Sequence, residues 1–294
     1  MRRTILFDRF EKLLSLGPLT WMSLFFLIPT IAVFFISLRQ SDPYGGISAH
    51  WSLDSWKAIF APSYLETMLL TLVLSAATTI CCILLAVPTA YAIAMAPFKQ
   101  RQWLLLGVII PFWINFLIRI FAWKVLLHPE GTLKNILVFL HLIESDQILL
   151  YGPGAVLLVM IYSYLPFAIL PIYAAAEKFD YTLLEAASDL GASRLQAFWK
   201  IYLPGIQRGI KSAVVMVLVP ALGAYVIPDM VGGSSAEMIS SKISQRAFVD
   251  RNLPEASALS ALLTLMVFIP FLISYLKPSK SGQKLRDSGA GQEI

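Results

Sequence analysis

The sequence predicts an all-α membrane protein with about six transmembrane helices. Hydrophobic residues make up 57% of the 294 residues, charged residues only 14%, and the mean hydropathy is +0.71. Soluble domains carry roughly 25% charged residues, so this composition excludes an ordinary soluble fold. The apolar runs are long and continuous, whereas the strands of a membrane barrel would alternate apolar and polar residues with a period of two.

Six apolar runs are each long enough to cross a bilayer, which needs roughly 20 residues. They cover about residues 17–38, 66–96, 103–127, 151–176, 205–227 and 255–276. The first run lacks a small-residue cleavage site near its end, so we interpret it as a retained span. The predicted transmembrane domain therefore covers 17–276. It follows a basic amphipathic segment at 1–16 and precedes a polar, Gly/Ser-rich tail at 277–294, whose composition predicts disorder.

The distribution of basic residues predicts how these spans are oriented, because cytoplasmic loops are enriched in Lys and Arg. The side that holds the N-terminus carries 15 of the 23 Lys and Arg residues, and the other side carries 8. Both termini and the segment at 177–204 are therefore predicted to face the cytoplasm. The net charge of +5 reflects this asymmetry and gives no indication of nucleic-acid binding.

The longest amphipathic segment between two spans is 177–204. Its apolar stripe consists of Leu183, Leu184, Ala187, Leu190 and Leu195. The stripe, broken at Gly191, predicts a short helix, a turn in which this glycine takes a positive φ, and a second short helix. Asp180 or Thr182 is expected to cap the first helix. Periodicity alone also permits a helix that lies on the lipid surface.

Seven positions in this segment match the pattern E-A-A-x3-G-x9-I-x-L-P. They are Glu185, Ala186, Ala187, Gly191, Ile201, Leu203 and Pro204. The segment therefore resembles the EAA loop of binding-protein-dependent ABC importers. The resemblance implies a type I importer permease fold, in which this loop is the coupling element that docks into a cleft on the ATPase subunit. The carboxylate of Glu185 and the small Ala186 and Ala187 suit such close docking.

The chain lacks the sequence features of an enzyme or a metal protein. No G-x4-G-K-[ST] phosphate loop is present, because Gly232 and Gly233 lead into Ser-Ser-Ala without the required lysine. Cys81 and Cys82 are adjacent within an apolar run and are interpreted as small packing residues, and the three histidines lack ligand spacing. We therefore predict no catalytic residue, no metal and no cofactor in this chain, with ATP bound and hydrolysed by a separate subunit.

The third predicted span contains polar residues that are candidates for a translocation path. Pro111, Asn115, Arg119 and Trp123 recur every four residues and are expected along one helical face. Polar side chains are costly in lipid, so this face should contact protein or a water-filled path. Two structural alternatives are that Arg119 pairs with a carboxylate on a neighbouring helix and that Asn115 bonds across a helix interface.

The fifth predicted span is interrupted at 220–233 by two prolines and three glycines. Broken backbone at membrane depth is tolerated only where it is buried in protein or lines a cavity. Tyr225 and Asp229 are therefore further candidates for the translocation path. The alternative for Asp229 is a simple cap for the segment that follows.

Three tryptophans, Trp56, Trp113 and Trp123, offer aromatic faces toward the predicted outer half of the membrane. An aromatic belt at the membrane interface is the alternative, and we favour it for Trp51. If the solute is a cationic amine, tryptophans together with a carboxylate would attract it through cation–π contacts and charge.

Four further blocks, 111–120, 131–137, 165–173 and 226–233, are similar to the spermidine/putrescine permease branch of these importers. This resemblance covers about 20–276 and implies a multi-pass subunit of the bacterial inner membrane that imports a polyamine. It also implies a second, similar permease subunit, two copies of an ATPase subunit and an extracytoplasmic solute-binding protein.

One departure leaves the solute open. Ala224 stands where some putrescine-type members carry an acidic residue, and the cationic Arg119 and Lys124 suit a polyamine poorly. Another small organic solute, such as an amino-acid derivative or an opine, is therefore the alternative. An ion-coupled secondary transporter or an assembly protein would leave the coupling motif unexplained.

Overall fold

The computed structural model describes residues 2–276 with the exception of 43, 145 and 147. The predicted tail at 277–294 lies outside the described residues. Two compact units are formed, one by the residues up to Trp56 together with those from Arg251 onward, and the other by Lys57–Asp250. The helices in chain order are α1 (Arg2–Ser37), α2 (Asp54–Ile59), α3 (Pro62–Met95), α4 (Phe98–Trp113), α5 (Phe116–Leu127), α6 (Thr132–Phe139), α7 (Pro153–Glu177), α8 (Thr182–Asp189), α9 (Arg194–Ala197), α10 (Leu203–Gly205), α11 (Gln207–Leu222), α12 (Ile239–Ser244) and α13 (Leu253–Leu276).

In the first unit, α13 packs along α1, and most side chains in the membrane-length part of α1, Leu16–Ser37, remain exposed. Two short antiparallel strands follow α1, β1 (Arg39–Ser41) and β2 (Ile47–Trp51). The guanidinium of Arg39 lies 5.0 Å from the ring centroid of Phe35 and 4.1 Å from that of Trp51. The predicted loop after the first span is therefore an ordered hairpin, closed by cation–π contacts.

The second unit is built on α3, α7 and α11, which pack against one another. Many side chains at the contact surface are small. In lipid there is no hydrophobic driving force between helices, so packing energy comes from close approach of the backbones, which small residues permit. The fully buried examples are Ala86, Ala90, Ala168, Ala176, Ala213 and Ala221. Cys82 is buried in the same core and its thiol donates to the carbonyl of Ile161, which confirms its interpretation as a packing residue.

Length and composition make the part of α1 from Leu16 and the whole of α3 and α7 single membrane-crossing helices. Two bent pairs of helical segments also qualify, and α13 is apolar over Leu253–Ile269. These elements fall on the six predicted spans and confirm the all-α membrane fold.

The third predicted span is not one helix, and the prediction of a single polar face was wrong. Helix α4 ends at Trp113, and the segment Phe116–Phe139 turns away from it by 90°. Pro111 removes a backbone donor in the last turn of α4. Asn115 then takes extended dihedral angles (φ −51°, ψ 136°), and its side chain accepts a hydrogen bond from the amide of Leu117 at 2.9 Å, capping α5.

The predicted interruption of the fifth span is present. Helix α11 ends at Leu222, and a π-helical turn, Pro228–Gly232, and a 3-10 turn, Ser234–Ala236, follow before α12. This irregular segment is anchored to the helical core, because the amide of Ile239 donates to Oγ1 of Thr71 at 2.8 Å and the hydroxyl of Ser240 donates to the carbonyl of Leu222 at 3.1 Å. A second bend, of 68°, separates Arg194–Gly205 from α11.

Candidate functional site

The segment at 177–204 forms the predicted pair of short helices around a turn. Gly191 takes a φ of +86° between α8 and α9, and no other atom lies within 4 Å of the position a Cβ would occupy there. Backbone conformation alone therefore favours glycine at this turn. Oδ1 of Asp180 accepts hydrogen bonds from the amide and the hydroxyl of Thr182 at the start of α8.

The start of α9 is fixed by a capping box that the sequence interpretation missed. The hydroxyl of Ser193 accepts from the amide of Gln196, and the side chain of Gln196 accepts from the amide of Ser193. A Ser three residues before a Gln, just after a glycine turn, is a signal from which this cap could have been predicted. The box lets a helix of only four residues hold its shape.

The outer surface of these helices is apolar and exposed. Leu190 is 89% exposed, Leu195 69% and Trp199 58%, and the carboxylate of Glu185 lies on an exposed residue beside them. The predicted apolar stripe is thus divided, since Ala187 is buried while these leucines project outward. A rigid, low-relief surface with large exposed apolar side chains is suited to docking against another protein.

Beneath the two helices lies a group of five rings, here called the aromatic cluster. Its members are Tyr91 from α3, Phe179 and Tyr181 from the start of the predicted coupling segment (177–204), and Phe198 and Tyr202 from its end. Ring centroids are 5.0 Å apart for Tyr91 and Tyr202 and 5.2 Å apart for Phe198 and Tyr202. The hydroxyl of Tyr181 donates to the carbonyl of Ala176 at 3.0 Å, and burial, more than the nearby Tyr91, raises the pKa of Tyr181. The cluster therefore holds both ends of the coupling segment against α3 and α7.

A polar network fixes the same region from the other side. Nη1 of Arg101 lies 3.0 Å from Oε1 of Glu177, and Nη2 of Arg101 donates to the carbonyl of Ala94 at 2.7 Å. The hydroxyl of Tyr173 donates to the same Oε1 at 2.9 Å. The end of α3, the start of α4 and the end of α7 are thereby tied together directly before the coupling segment.

The candidate path residues of the third span now have separate structural roles. Trp113 is 77% exposed at the end of α4, whereas Trp123 on α5 packs edge-on against Tyr162 of α7 with centroids 5.3 Å apart. Asn115 is exposed and caps α5, and its side chain makes no bond across a helix interface among the described residues. In the first unit, the indole of Trp56 donates to the hydroxyl of Ser37 at 3.2 Å.

Arg119 is 9% exposed and makes no ion pair within the described part of the chain. Its guanidinium lies 4.9 Å from the ring centroid of Phe112 and 5.7 Å from that of Phe116, while Nε and Nη1 are buried without a hydrogen-bond partner among these residues. The alternative of a carboxylate partner is therefore not supported by the described residues. The two rings supply the nearest favourable contact for the charge.

A polar cleft of about 540 Å³ opens where the fifth span is broken. Asp229 lies on its wall, and its carboxylate makes no capping hydrogen bond among the described residues. Glu237 and Lys242 line the same cleft and pair at 2.6 Å, and the side chain of Phe248, 82% exposed, completes one side. Glu237 is thus paired with Lys242, whereas Asp229 is the cleft-lining carboxylate that has no ion-pair partner in the described part of the chain.

Tyr225 and Asp229 are brought together by the break, since the amide of Asp229 donates to the carbonyl of Tyr225 at 3.0 Å. Helix α5, which carries Arg119 and Trp123, packs against the π-helical turn that contains Asp229. Glu237, Lys242 and Phe248 were not identified from the sequence. Their charged and aromatic side chains follow directly on a glycine-rich break, which is the signal that could have found them.

A sequence profile described as "Binding-protein-dependent transport system inner membrane component" matches residues 83–281. The chain is also similar to the spermidine/putrescine transport system permease protein PotB of several bacteria. It is 32% identical to that of Salmonella typhimurium over 95% of this chain and 98% of the relative, and 34% identical to that of Escherichia coli over 86% and 92%. The Haemophilus influenzae protein is 33% identical over 92% and 95%.

Solved structures share the fold. A bacterial ABC transporter that imports the acidic polysaccharide alginate superposes with a TM-score of 0.73 at 19% identity, covering 94% of this chain and 99% of that one. The same kind of transporter, in complex with a pentasaccharide-bound periplasmic protein, superposes with a TM-score of 0.69 at 20% identity and covers 92% and 94%.

Proposed function

The chain belongs to the family of inner-membrane components of binding-protein-dependent transport systems, and from this we propose that it is the permease subunit through which an ATP-driven importer moves polyamines such as spermidine and putrescine. The observation that carries the proposal is the identity of 32–34% to spermidine/putrescine permeases over nearly the whole chain. A second permease subunit, two ATPase subunits and an extracytoplasmic binding protein complete the proposed complex.

The coupling segment is the proposed contact with the ATPase. Glu185, Ala186 and Gly191 are exposed, and so are the large apolar side chains beside them. Leu203 and Pro204 form the start of α10, which leads into the bend before α11. Docking here removes apolar surface from water, which contributes a favourable free energy of roughly 25 cal/mol per Å². It also places the ATPase where its movement acts on α11.

The cleft at the break of the fifth span is the proposed place where the solute enters the path. Its uncompensated carboxylate, Asp229, attracts an ammonium group, and the exposed ring of Phe248 offers a cation–π face. Tyr225, 52% exposed, and the exposed Trp113 extend the aromatic lining we propose. Asn115, Arg119 and Trp123 remain candidates from the sequence prediction, and so does Trp56, which belongs to the first unit. Arg119 is compatible with a cationic solute because it is buried and covered by two rings.

The proposal is tested by solute-stimulated ATP hydrolysis of the assembled complex in lipid, with its binding protein. Stimulation by spermidine or putrescine, and none by neutral or anionic solutes of similar size, is the expected result. Stimulation only by a neutral or anionic solute would keep the importer and discard the polyamine assignment.

A second candidate, import of another small organic solute, is favoured by one observation. Ala224 is 8% exposed, so the position where some putrescine-type permeases carry an acidic side chain is here closed by a methyl group. The same solute panel, extended to amino-acid derivatives and opines, separates the two candidates.

A further inference from the structure

Phe179 and Gly205 make an unusually close contact at the base of the coupling segment. A Cβ atom at Gly205 would lie 2.7 Å from Cδ2 of Phe179, and closer still to Cε2. Only glycine lets the backbone at this point approach the Cδ2–Cε2 edge of the ring so closely. Nothing in the backbone conformation requires glycine there, because the φ of Gly205 is not positive. The contact itself is therefore the reason for the residue.

The ring of Phe179 is held in place by its neighbours. Its centroid lies 5.3 Å from that of Tyr181 and 5.3 Å from that of Tyr202, both edge-on. Tyr202 is fully buried and also contacts Tyr91 of α3 at 5.0 Å. Packed interiors resist local displacement, so Phe179 cannot move without moving the aromatic cluster.

The position of the contact gives it mechanical significance. Phe179 is separated from the first helix of the coupling segment only by Asp180 and Tyr181, and Gly205 is the last residue before the 68° bend into α11. The two residues thus close the coupling segment into a loop whose ends touch. A displacement of α8 and α9 can therefore reach α11 directly through this contact, as well as along the chain and through the packing of α11 against α3 and α7.

We propose that the contact between Phe179 and Gly205 is the joint that makes the coupling segment and α11 move as one body, with Phe179 as its positioning residue. This inference rests on the proposed function, because it assigns a path for the movement that ATP hydrolysis in the partner subunit produces. The aromatic cluster supplies the stiffness, and the missing side chain of Gly205 supplies the close fit.

The first test is a double-mutant cycle in the complete complex. Gly205→Ala is expected to lower spermidine uptake per ATP hydrolysed about tenfold, within the usual range of coupling effects, while the complex still assembles. Phe179→Ala removes the clashing ring and is expected to uncouple more mildly. The double variant should then behave like Phe179→Ala alone, because the clash no longer exists.

Gly209 provides the matched control. A Cβ there would also be too close to its surroundings, at 2.6 Å from Cβ of Ala175 and 2.7 Å from the carbonyl of Pro171, yet it would not meet Phe179. Phe179→Ala should therefore leave the defect of Gly209→Ala unchanged. The proposal would be overturned if the effects of Gly205→Ala and Phe179→Ala were additive. It would also be overturned if Phe179→Ala relieved the defects of Gly205→Ala and Gly209→Ala equally.

A distance measurement separates this inference from the identity of the solute. Spin labels at Ser188→Cys on α8 and Ser212→Cys on α11, both exposed positions, are introduced with Cys81 and Cys82 replaced by alanine. In the complex without solute, the distance should stay narrow and unchanged between the nucleotide-free and vanadate-trapped states, and broaden in Gly205→Ala. An unbroadened distance in that variant would contradict the joint whatever the solute is.

Should Gly205→Ala fail to assemble, Phe179→Ala carries the test, since it introduces no clash. A broadened distance with reduced uptake per ATP supports the joint, and a wild-type distance with full coupling refutes it. Absence of spermidine stimulation in the wild-type complex would instead count against the proposed solute only.

Discussion

Gly191 is the residue at which the coupling segment depends most directly on backbone conformation. A side chain there would meet nothing, but at a φ of +86° a left-handed conformation costs an ordinary residue roughly 1–2 kcal/mol. The substitution Gly191→Val should therefore leave the membrane fold intact and uncouple ATP hydrolysis from uptake, because a β-branched residue resists this conformation. Uptake per ATP in reconstituted complex is the measurement.

Gly191→Asn is the control for that prediction, since asparagine tolerates positive φ better than other side chains. It should retain most of the coupling that the valine variant loses. Fully coupled transport by the valine variant would mean that the turn is not required as described.

Asp229 is the residue on which attraction of a cation in the polar cleft depends. Asp229→Asn should reduce spermidine uptake roughly tenfold, equivalent to ~1.4 kcal/mol, because the neighbouring Glu237 is already paired with Lys242. Asp250→Asn is the control, since that carboxylate pairs with Arg246 and does not line the cleft. Equal loss in both variants would point to a general charge effect and against a local site.

The kink between α4 and α5 is the element that sequence periodicity did not reveal. A spacing of four residues predicts a shared face only while the helix continues, and here an extended Asn115 stops it. Proline within an apolar run gave a reason to expect a bend, yet prolines also lie inside α3 and α7, which remain single helices. Tertiary packing decides between these outcomes, and a single sequence does not contain that information.

Asn115 as the cap of α5 has a measurable consequence for this element. Asn115→Ala should lower the free energy of unfolding by about 1 kcal/mol, seen as a lower thermal transition of the purified complex, whereas Asn115→Asp keeps the cap and should retain both stability and uptake. If the alanine variant loses uptake with unchanged stability, Asn115 contacts solute and its capping role is secondary.

The turn at Gly191 between α8 and α9 was predictable because its causes are local. They are the helical spacing of the apolar residues and a glycine that permits a positive φ. The polar cleft was only partly predictable from the sequence. Asp229 was identified from the broken backbone around it, but Glu237 and Phe248 reach the same cleft through a fold of the chain that Thr71, far away in sequence, anchors by one hydrogen bond. A contact between segments so distant in sequence leaves little trace in the local residue pattern.

On the scale of the whole molecule, composition alone was sufficient for the membrane class, since 57% hydrophobic and only 14% charged residues depart from the roughly 25% charged residues of soluble domains. The packing of α3, α7 and α11 within the second unit depends on which small residues face one another. That is a property of pairs of helices, so no single stretch could predict it.

Because the proposed importer has separate permease and ATPase subunits, a prediction can be made for the isolated chain. Reconstituted alone in lipid vesicles, it should neither hydrolyse ATP nor accumulate spermidine, because it lacks a phosphate-binding loop. Adding the ATPase subunit, the second permease and the binding protein should restore both activities. Accumulation by the chain alone would indicate a secondary transporter.

Helix α4 has a further consequence for the surrounding lipid. Its 16 residues extend only ~24 Å at 1.5 Å per residue, about 6 Å less than a typical hydrocarbon core, and beyond Trp113 the chain turns sideways. We therefore expect the bilayer to be thinner beside this helix, or headgroups to descend to meet it. The length of the lipid acyl chains sets the hydrophobic mismatch at α4, and we expect this mismatch to act directly on the kink.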